Sequence, residues 1–202
     1  PTELIVKEDL SIGLGIISDA GAPNQAQPVW IGDRIHCLVA AEGTSQVWSV
    51  EVNGGLPQAM THGQHAIASW SMSADGMTLS FNASTPTNPG EVYVQRLDGP
   101  GSTARRLTEI NAELLSELSL AEAEEFWVTP PDGGAPVQGW ILKPPGFTPD
   151  ERYPLVLQMH GGPIALYGMS WWHEFQVLAG KGFVVVAPNP RGSAGYGQNF
   201  AT

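Results

Sequence analysis

The sequence predicts two successive fold classes: a β-propeller segment of about two blades, and then the start of an α/β domain. Three observations carry this prediction. Segments of the N-terminal half recur at spacings of 40 to 47 residues, glycine and proline are abundant at 24 and 17 residues, and the pattern changes near residue 153 to strand, helix, strand. Many turn residues suit short strands, whereas strand, helix, strand is the unit of a parallel sheet.

The repeat in the N-terminal half is visible in three pairs of matching segments. They are Trp30 with Trp70, residues 47–50 with 92–95, and residues 60–61 with 107–108. A period near this length, with about four strands in each unit, is typical of propeller blades. Two units cannot close a ring, because each blade must bury its faces against neighbours.

Short runs of alternating or β-branched residues predict the strands of this half, at residues 35–40, 46–52, 77–82 and 91–97. Turn signals rich in Asn, Asp and Gly separate them, because Asn and Gly accept positive φ. These signals are Asn53-Gly54-Gly55, Asp75-Gly76 and Asp98-Gly99. Residues 1–27 are predicted to be the tail of an earlier blade and a loop. The whole of residues 1–125 is therefore predicted as the C-terminal part of a propeller.

Residues 110–125 have a helical composition and are predicted as either a short helix or an extended crossover between domains. A β-hairpin follows, with strands at 126–128 and 137–142 around a turn at 131–134. From residue 153 onward, strands at 155–159 and 183–187 flank a helix at 170–179 that Ser170 is expected to cap. Trp171, Phe175 and Leu178 would share one face of this helix. The first strand is apolar, as expected for a sheet buried on both faces.

The composition excludes several classes of function. The formal net charge is −11, with only nine Lys and Arg, so binding to nucleic acid or to an anionic membrane surface is not expected. The apolar runs are too short to span a bilayer. Cys37 stands alone between apolar residues and is expected to be a buried, inert thiol. The histidines lack the spacing of a zinc site, so no metal and no cofactor are expected. A cytoplasmic location is the expectation.

The first motif with chemical potential is His160-Gly161-Gly162-Pro163, which follows the first buried strand. Loops at the carboxyl edge of such a sheet bind ligands. Two glycines let the backbone approach a substrate closely and present an amide N–H, which is what an oxyanion hole requires. On the tetrapeptide alone, an oxyanion loop and a tight turn are equally good interpretations.

The second motif runs from Asn189 to Gly197 after the next strand. It is not a phosphate loop, because it lacks the Lys followed by Ser or Thr of that motif. Ser193 does not fit a nucleophile elbow either. The elbow reads G-x-S-x-G, and Arg191 stands where the first glycine is required. We therefore predict a turn role for Ser193.

Residues 153–200 resemble the start of the catalytic domain of the prolyl oligopeptidase family of serine peptidases, most closely its acylaminoacyl peptidase branch. The residues that carry the resemblance are Tyr153-Pro154, His160 to Pro163, Tyr167-Gly168, Glu174-Phe175, Asn189 to Gly197 and Phe200. Upstream segments such as residues 137–140 and 143–146 match the approach to that domain. The resemblance implies that residues 126–202 are the N-terminal part of an α/β-hydrolase domain, truncated before the nucleophile.

The resemblance also implies roles for individual residues. Gly162 matches the position whose backbone N–H stabilises the tetrahedral oxyanion, and His160 and Gly161 belong to the same catalytic loop. Arg191 and Tyr196 match the second motif and are expected to shape the floor of the substrate pocket. The Ser, Asp and His of the catalytic triad are not in this chain, since no G-x-S-x-G occurs in it.

The function implied is the hydrolysis of short peptides by Ser-His-Asp acyl transfer, with release of N-terminal aminoacyl or acyl-aminoacyl residues. The alternatives are a dipeptidyl-type peptidase or esterase of the same fold, and a catalytically dead relative whose propeller is a binding module. The expected partners are short peptide substrates, the remainder of the polypeptide or a cleaved partner chain, and further copies in a homo-oligomer. Residues 1–202 alone are expected to be inactive and to fold only with further polypeptide packed against them.

Overall fold

The computed structural model describes residues 9–21, 27–99, 102–162 and 164–202. Within them the chain forms two β-sheets and three short helices, none of which is long and apolar enough to cross a membrane. The first sheet contains β1 (Ser11–Ile12), β2 (Val29–Ile31), β3 (Arg34–Ala41), β4 (Thr44–Glu51), β5 (Gln58–Ala59), β6 (Ala66–Met72), β7 (Thr78–Thr85), β8 (Asn88–Arg96) and β9 (Arg105–Arg106). The second contains β10 (Ala123–Val128), β11 (Val137–Leu142), β12 (Leu155–Leu157) and β13 (Val184–Pro188). The helices are α1 (Ala112–Ser116), α2 (His173–Gly180) and α3 (Gln198–Ala201).

The first sheet consists of two antiparallel meanders. Strands β2 to β5 form the first meander and β6 to β9 form the second, and a single parallel pairing between Ser45 and Ala66 joins them. The four predicted strands are confirmed as β3, β4, β7 and β8, each with ends shifted by one to three residues. The described residues do not close a ring, and the assignment of each meander to a blade stays a prediction. Residues 1–8 and 22–26 of the predicted 1–27 tail lie outside the described residues. Strand β1, in the described part of this tail, pairs with β3.

The core of the first sheet lies between the two meanders. Leu38 and Val47 from the first meander contact Ile67, Leu79 and Phe81 from the second. Strand β7 alternates half-buried and buried side chains from Thr78 to Ala83, as the period of two requires. Cys37 is buried and has no disulfide partner, and burial raises the pKa of its thiol, so the predicted inert thiol agrees with the structure.

The segment between the sheets combines both predicted alternatives. Helix α1 has only five residues and buries none of them, and the chain then runs extended into β10. Glu91, which is 1% exposed, anchors the start of this segment by hydrogen bonds. Its carboxylate accepts hydrogen bonds from the Thr108 hydroxyl and from the backbone N–H groups of Ile110 and Asn111. Residues 117–125 do not continue the helix, because Ala121 packs into the core of the second sheet and residues 123–125 pair with β11. These tertiary contacts override the helical composition.

The second sheet has the strand order β10, β11, β13, β12. The predicted hairpin is confirmed, with Val128 paired to Val137 and Ala123 to Leu142. Strands β12 and β13 are parallel and α2 connects them, which confirms the predicted strand, helix, strand unit. Strand β12 lies at the edge of the sheet within the described residues, and its Leu155 and Leu157 are 61% and 56% exposed. Its burial on both faces stays a prediction for the chain with further polypeptide packed against it.

Helix α2 begins three residues later than predicted, and Ser170 does not cap it. The Ser170 hydroxyl instead donates to the carbonyl of Ile17. The carboxylate of Asp19 accepts from the backbone N–H groups of His173 at 2.8 Å and Glu174 at 2.9 Å. Local sequence could not reveal this cap, because it comes from a residue about 150 positions upstream. Phe175 packs into the core with Trp140 and Val185, as its predicted face requires.

The two sheets meet where the β3–β4 turn reaches the second sheet. The backbone N–H of Met169 donates to the carbonyl of Gly43 at 2.7 Å, and that of Glu42 donates to the carbonyl of Gly195 at 3.1 Å. A Cβ atom on Gly43 would overlap the ring of Trp140, and one on Gly168 would overlap the backbone of Gly43. Both positions therefore require glycine.

We expect Gly43→Ala to destabilise the fold by about 2–4 kcal/mol, because overlap with the Trp140 ring adds to the cost of positive φ. Gly54→Ala is the matched control. Its φ of 93° resembles the 72° of Gly43, but its Cβ would point into open space. It should lose only the backbone part, about 1–2 kcal/mol. Urea unfolding of both variants of the full-length gene product measures the difference, and equal losses would contradict the packing argument.

The buried Glu91 predicts a pH-dependent stability. Burial by itself would raise the pKa of Glu91, but the hydrogen bonds from Thr108, Ile110 and Asn111 hold it below its ordinary value. A carboxyl with a lowered folded-state pKa stabilises the fold above its unfolded pKa of about 4.3, and this contribution is lost as the pH falls through the folded-state pKa. Glu91→Gln should therefore cost about 2 kcal/mol at pH 7, and the difference from wild type should shrink towards pH 3.5. Urea midpoints measured across this range test it, and a difference independent of pH would refute the role of the charge.

Candidate functional site

Two loops rich in glycine follow the parallel strands β12 and β13. The first glycine loop comprises residues 158–168, apart from Pro163, which lies outside the described residues, and the second comprises residues 189–197. The carboxyl ends of parallel strands meet at one edge of the sheet, so the two loops lie side by side. The backbone N–H of Ala194 donates to the carbonyl of Ala165 at 3.1 Å and joins them directly.

Gly162 lies exposed in the first glycine loop with a φ of 142°. A Cβ atom there would come within 2.9 Å of the backbone nitrogen of Ile164, so the tight path of the loop depends on glycine. Among the described residues, the N–H of Gly162 has no hydrogen-bond acceptor. An exposed, unpaired N–H on a tightly folded loop is available to a ligand.

His160 connects the two glycine loops. Its Nε2 lies 2.9 Å from the hydroxyl oxygen of Ser193, and its Nδ1 lies 3.1 Å from the carbonyl oxygen of Gly161. The edge of its ring also contacts Tyr167, with ring centres 5.2 Å apart. The imidazole is therefore fixed from three sides, and it holds the peptide that precedes Gly162.

Ser193 is fully buried, and its environment agrees with the predicted turn role. Its backbone N–H donates to the carbonyl of Pro190 at 3.0 Å, and its hydroxyl lies 2.6 Å from the same oxygen. No substrate carbonyl could reach its hydroxyl in this arrangement. The contact with His160 is one that sequence reasoning missed, since no local pattern links positions 33 residues apart.

Sequence reasoning placed Asn189 in the second motif but gave it no role of its own. It is fully buried, its side-chain oxygen accepts from the N–H of Tyr167 at 2.8 Å, and its side-chain nitrogen donates to the carbonyl of Tyr167 at 2.9 Å. This pairing imitates the hydrogen bonds of a β-ladder between the two loops. A polar residue directly after a buried apolar strand was the available signal.

Tyr196 closes a buried polar chain below the second glycine loop. Its hydroxyl accepts from the Asn189 amide at 2.7 Å and donates to the side-chain oxygen of Gln138. Burial raises its pKa, and the hydrogen bond from Asn189 opposes this only in part. Gln138 in turn donates to Glu125 at 2.8 Å and to the carbonyl of Glu42 at 3.2 Å. Sequence reasoning missed Gln138, although it is a single polar residue within an apolar strand.

Arg191 lies on the surface beside the β10–β11 turn. Its guanidinium is paired with the carboxylate of Asp132 at 2.7 Å, and both side chains are about half exposed. Hydrogen bonds from Arg191 and from the N–H of Gly134 hold the pKa of Asp132 below its ordinary value. The structure thus places Arg191 and Tyr196 in the support of the second loop, and their part in a substrate pocket stays a prediction.

Within the described ranges, no group of three or more His, Cys, Asp or Glu side chains is placed to hold a metal ion. The structure brings together His160, Gly161 and Gly162 with Ser193 and Asn189, and Tyr196 lies directly beneath them. Chemically, this arrangement offers the exposed, unpaired N–H of Gly162 on a braced loop.

Comparisons with known proteins find similar peptidases. A sequence model of the prolyl oligopeptidase family matches residues 169–202. The uncharacterized peptidase YuxL of Bacillus subtilis is 34% identical over 194 residues, which are 95% of this chain and 28% of that protein. Dipeptidyl-peptidase 5 of Porphyromonas gingivalis is 28% identical over 176 residues, which are 85% of this chain and 25% of that protein.

Solved structures show the same likeness in three dimensions. Acylaminoacyl peptidase of Pyrococcus horikoshii superimposes with a TM-score of 0.74 and 26% identity, over 96% of this chain and 27% of that one. An acylaminoacyl peptidase in complex with Z-Gly-Gly-Phe-chloromethyl ketone gives a TM-score of 0.76 and 27% identity with the same coverage. The chain spans about a quarter of the length of these proteins. The match of residues 169–202, the two glycine loops, the strand order and these likenesses all relate the chain to the prolyl oligopeptidase family.

Proposed function

We propose that the protein carrying this chain is a serine peptidase acting on short peptides, and that this chain supplies one oxyanion donor, the N–H of Gly162. The observation that carries the proposal is the unpaired, exposed N–H of Gly162 on a loop that His160 and Asn189 brace. Preorganised backbone donors of this kind stabilise the charge that develops in acyl transfer. A donor already held in place costs little reorganisation during the reaction.

In this mechanism the nucleophile is a serine outside residues 1–202, activated by a histidine and an aspartate as in other triads. Its attack on the scissile carbonyl moves negative charge onto the carbonyl oxygen, and the N–H of Gly162 donates to that oxygen. His160 orients the Gly162 N–H through its contact with the Gly161 carbonyl of the same peptide. A trans peptide points its C=O and N–H in opposite directions. Because Nδ1 of His160 lies next to the Gly161 carbonyl, the Gly162 N–H points away from the imidazole.

The domain assignment is part of the same proposal. We assign the two meanders to two blades of a propeller in residues 1–125, and residues 126–202 to the start of an α/β-hydrolase domain. Each meander has four antiparallel strands, the number a blade requires. The boundary at 125/126 falls inside β10, so a boundary before Ala123 keeps that strand whole.

For the substrate, we propose peptides with a free or acylated N-terminal residue, which the enzyme releases. Both superimposed structures are of acylaminoacyl peptidases, which supports this choice. The name of the Porphyromonas gingivalis relative favours the release of dipeptides as the second candidate. An esterase and a catalytically dead binding module are the alternatives to a peptidase. A homo-oligomeric state and a cytoplasmic location stay predictions.

We expect the full-length gene product to release p-nitroaniline from acetyl-alanine p-nitroanilide, and a fluorophosphonate probe to stop the reaction. Peptide mapping should place the label outside residues 1–202, because Ser193 is buried and lacks the elbow. A dipeptidyl p-nitroanilide and p-nitrophenyl butyrate in parallel separate the rival substrates. Labelling at Ser193 would refute the role given to it, and an absence of both label and turnover would favour the binding module.

We expect Gly162→Ala to lower kcat by about 10²–10³-fold, the usual loss for one oxyanion donor, with a smaller change in KM. The added methyl meets the Ile164 nitrogen at 2.9 Å, so the peptide that presents the N–H must move. Gly146→Ala is the matched control, since Gly146 lies outside the site, has a positive φ of 80°, and would have nothing within 4 Å of an added Cβ atom. Steady-state kinetics of both folded variants tests this. Equal effects of the two changes would mean that Gly162 is only a turn residue.

A further inference from the structure

We propose that residues 9–19, here called the strap, hold the first glycine loop in its working position and that Asp19 is a positioning residue for the reaction. The strap belongs to the N-terminal part of the chain, far in sequence from both glycine loops. The inference rests on the proposed function for its catalytic consequence, while the contacts themselves are independent of it.

Asp19 supplies the N-terminal cap of α2. The helix has no side-chain cap of its own, and its N-cap residue is Trp172. Both carboxylate oxygens of Asp19 are used, one by the N–H of His173 at 2.8 Å and one by the N–H of Glu174 at 2.9 Å. A negative charge also interacts favourably with this end of a helix. The start of α2 is therefore fixed by a residue from the strap.

The residues next to Asp19 bind the segment that leads from Gly162 to α2. The N–H of Ile17 donates to the carbonyl of Leu166 at 3.2 Å. The carbonyl of Ile17 accepts from the Ser170 hydroxyl at 2.8 Å and from the Trp172 indole at 3.1 Å. The hydroxyl of Ser18 donates to the carbonyl of Trp171 at 2.7 Å. The strap thus runs along this segment and pairs with it repeatedly.

The apolar contacts of the strap reach both glycine loops at once. Ile16 is 3% exposed and lies in a buried cluster with Ala40, Leu166 and Ala194. Leu166 belongs to the first glycine loop, Ala194 to the second, and Ala40 to β3. One isoleucine therefore packs the two loops against the first sheet.

The other end of the strap holds the second glycine loop. The hydroxyl of Ser11 accepts from the N–H of Gly195 at 3.0 Å. The carboxylate of Asp9 accepts from the N–H of Gln198, at the start of α3. Between these ends, β1 pairs with β3 of the first sheet. The strap is thus paired with the first sheet and hydrogen-bonded to both glycine loops.

These contacts imply that the position of Gly162 is set partly from the first sheet. Gly162 lies four residues before Leu166, which is held by the strap, and two residues after His160, which is held by the second loop. Both anchors of the loop therefore depend on strap residues. Small displacements of reacting groups reduce rates strongly, up to about 10²-fold for a shift of about 1 Å. Loss of a strap contact should accordingly lower turnover even where the fold survives.

The test compares Asp19→Ala, Asp19→Asn and Asp33→Ala in the full-length gene product, well below their melting temperatures. We expect Asp19→Ala to lower kcat about tenfold or more while KM stays within about twofold. Asp19→Asn should restore kcat only in part, because its amide keeps one acceptor oxygen for the two N–H groups that the carboxylate binds. Asp33→Ala is the matched control, since Asp33 is exposed and its side chain makes no hydrogen bond within the described residues. If Asp19→Ala does not fold, Ser18→Ala removes one strap contact more gently and should change kcat in the same direction.

Hydrogen exchange followed by mass spectrometry supplies a readout besides activity. Exchange at residues 164–174 should speed up in Asp19→Ala and stay unchanged at residues 78–96. Unchanged exchange at 164–174, or faster exchange with wild-type kcat, would overturn the positioning role. A wild-type protein that no fluorophosphonate labels and that cleaves no substrate would overturn the proposed function and the catalytic consequence drawn here. In that case exchange would still decide whether the strap holds the loop.

Discussion

The close approach of two backbones, at Gly43 in the β3–β4 turn and at Gly168 in the first glycine loop, is the constraint on which the arrangement of the chain depends. Neither position has room for a Cβ atom, and Met169 donates to the Gly43 carbonyl at 2.7 Å across the contact. The same turn contacts both glycine loops. Met169, which directly follows the first glycine loop, donates to its Gly43 carbonyl, and its Glu42 N–H donates to the carbonyl of Gly195 in the second loop. The candidate site is thus built on the junction of the sheets and not on the second sheet alone.

A buried polar chain makes this junction specific. Asn189 and Gln138 are 0% and 2% exposed, and each polar atom of their side chains has a partner. A buried polar group left without a partner costs about 1–3 kcal/mol, so such a chain is stable only when it is complete. Its members come from β11, from the second glycine loop and from the β3–β4 turn. Completion therefore requires both sheets to be in place, and it holds the second loop, against which His160 rests.

Sequence reasoning predicted features that depend on residues close together in the chain, and it missed contacts between residues far apart in the chain. Strands β3, β7 and β8 and the β10–β11 hairpin were predicted because alternation and turn residues act within a few positions. The cap of α2 was misassigned to Ser170, because the true cap, Asp19, lies about 150 residues upstream. The apolar run of β12 did not reveal that this strand has only one neighbour within the described residues. Within the candidate site, the glycines and His160 were found by motif, whereas Gln138 and the contact of His160 with Ser193 were not.

The sequence by itself determined the local elements, the two glycine motifs and the exclusion of Ser193 as an elbow nucleophile. Each of these depends on residue types at fixed, short spacings, which a chain displays before it folds. Only the tertiary structure decided that His160 meets Ser193, that Asn189 pairs with Tyr167, and that Asp19 reaches α2. Those contacts join residues 22 to 154 positions apart. Their partners are selected by the packing of the two sheets, because only that packing brings the donors and acceptors within hydrogen-bond distance.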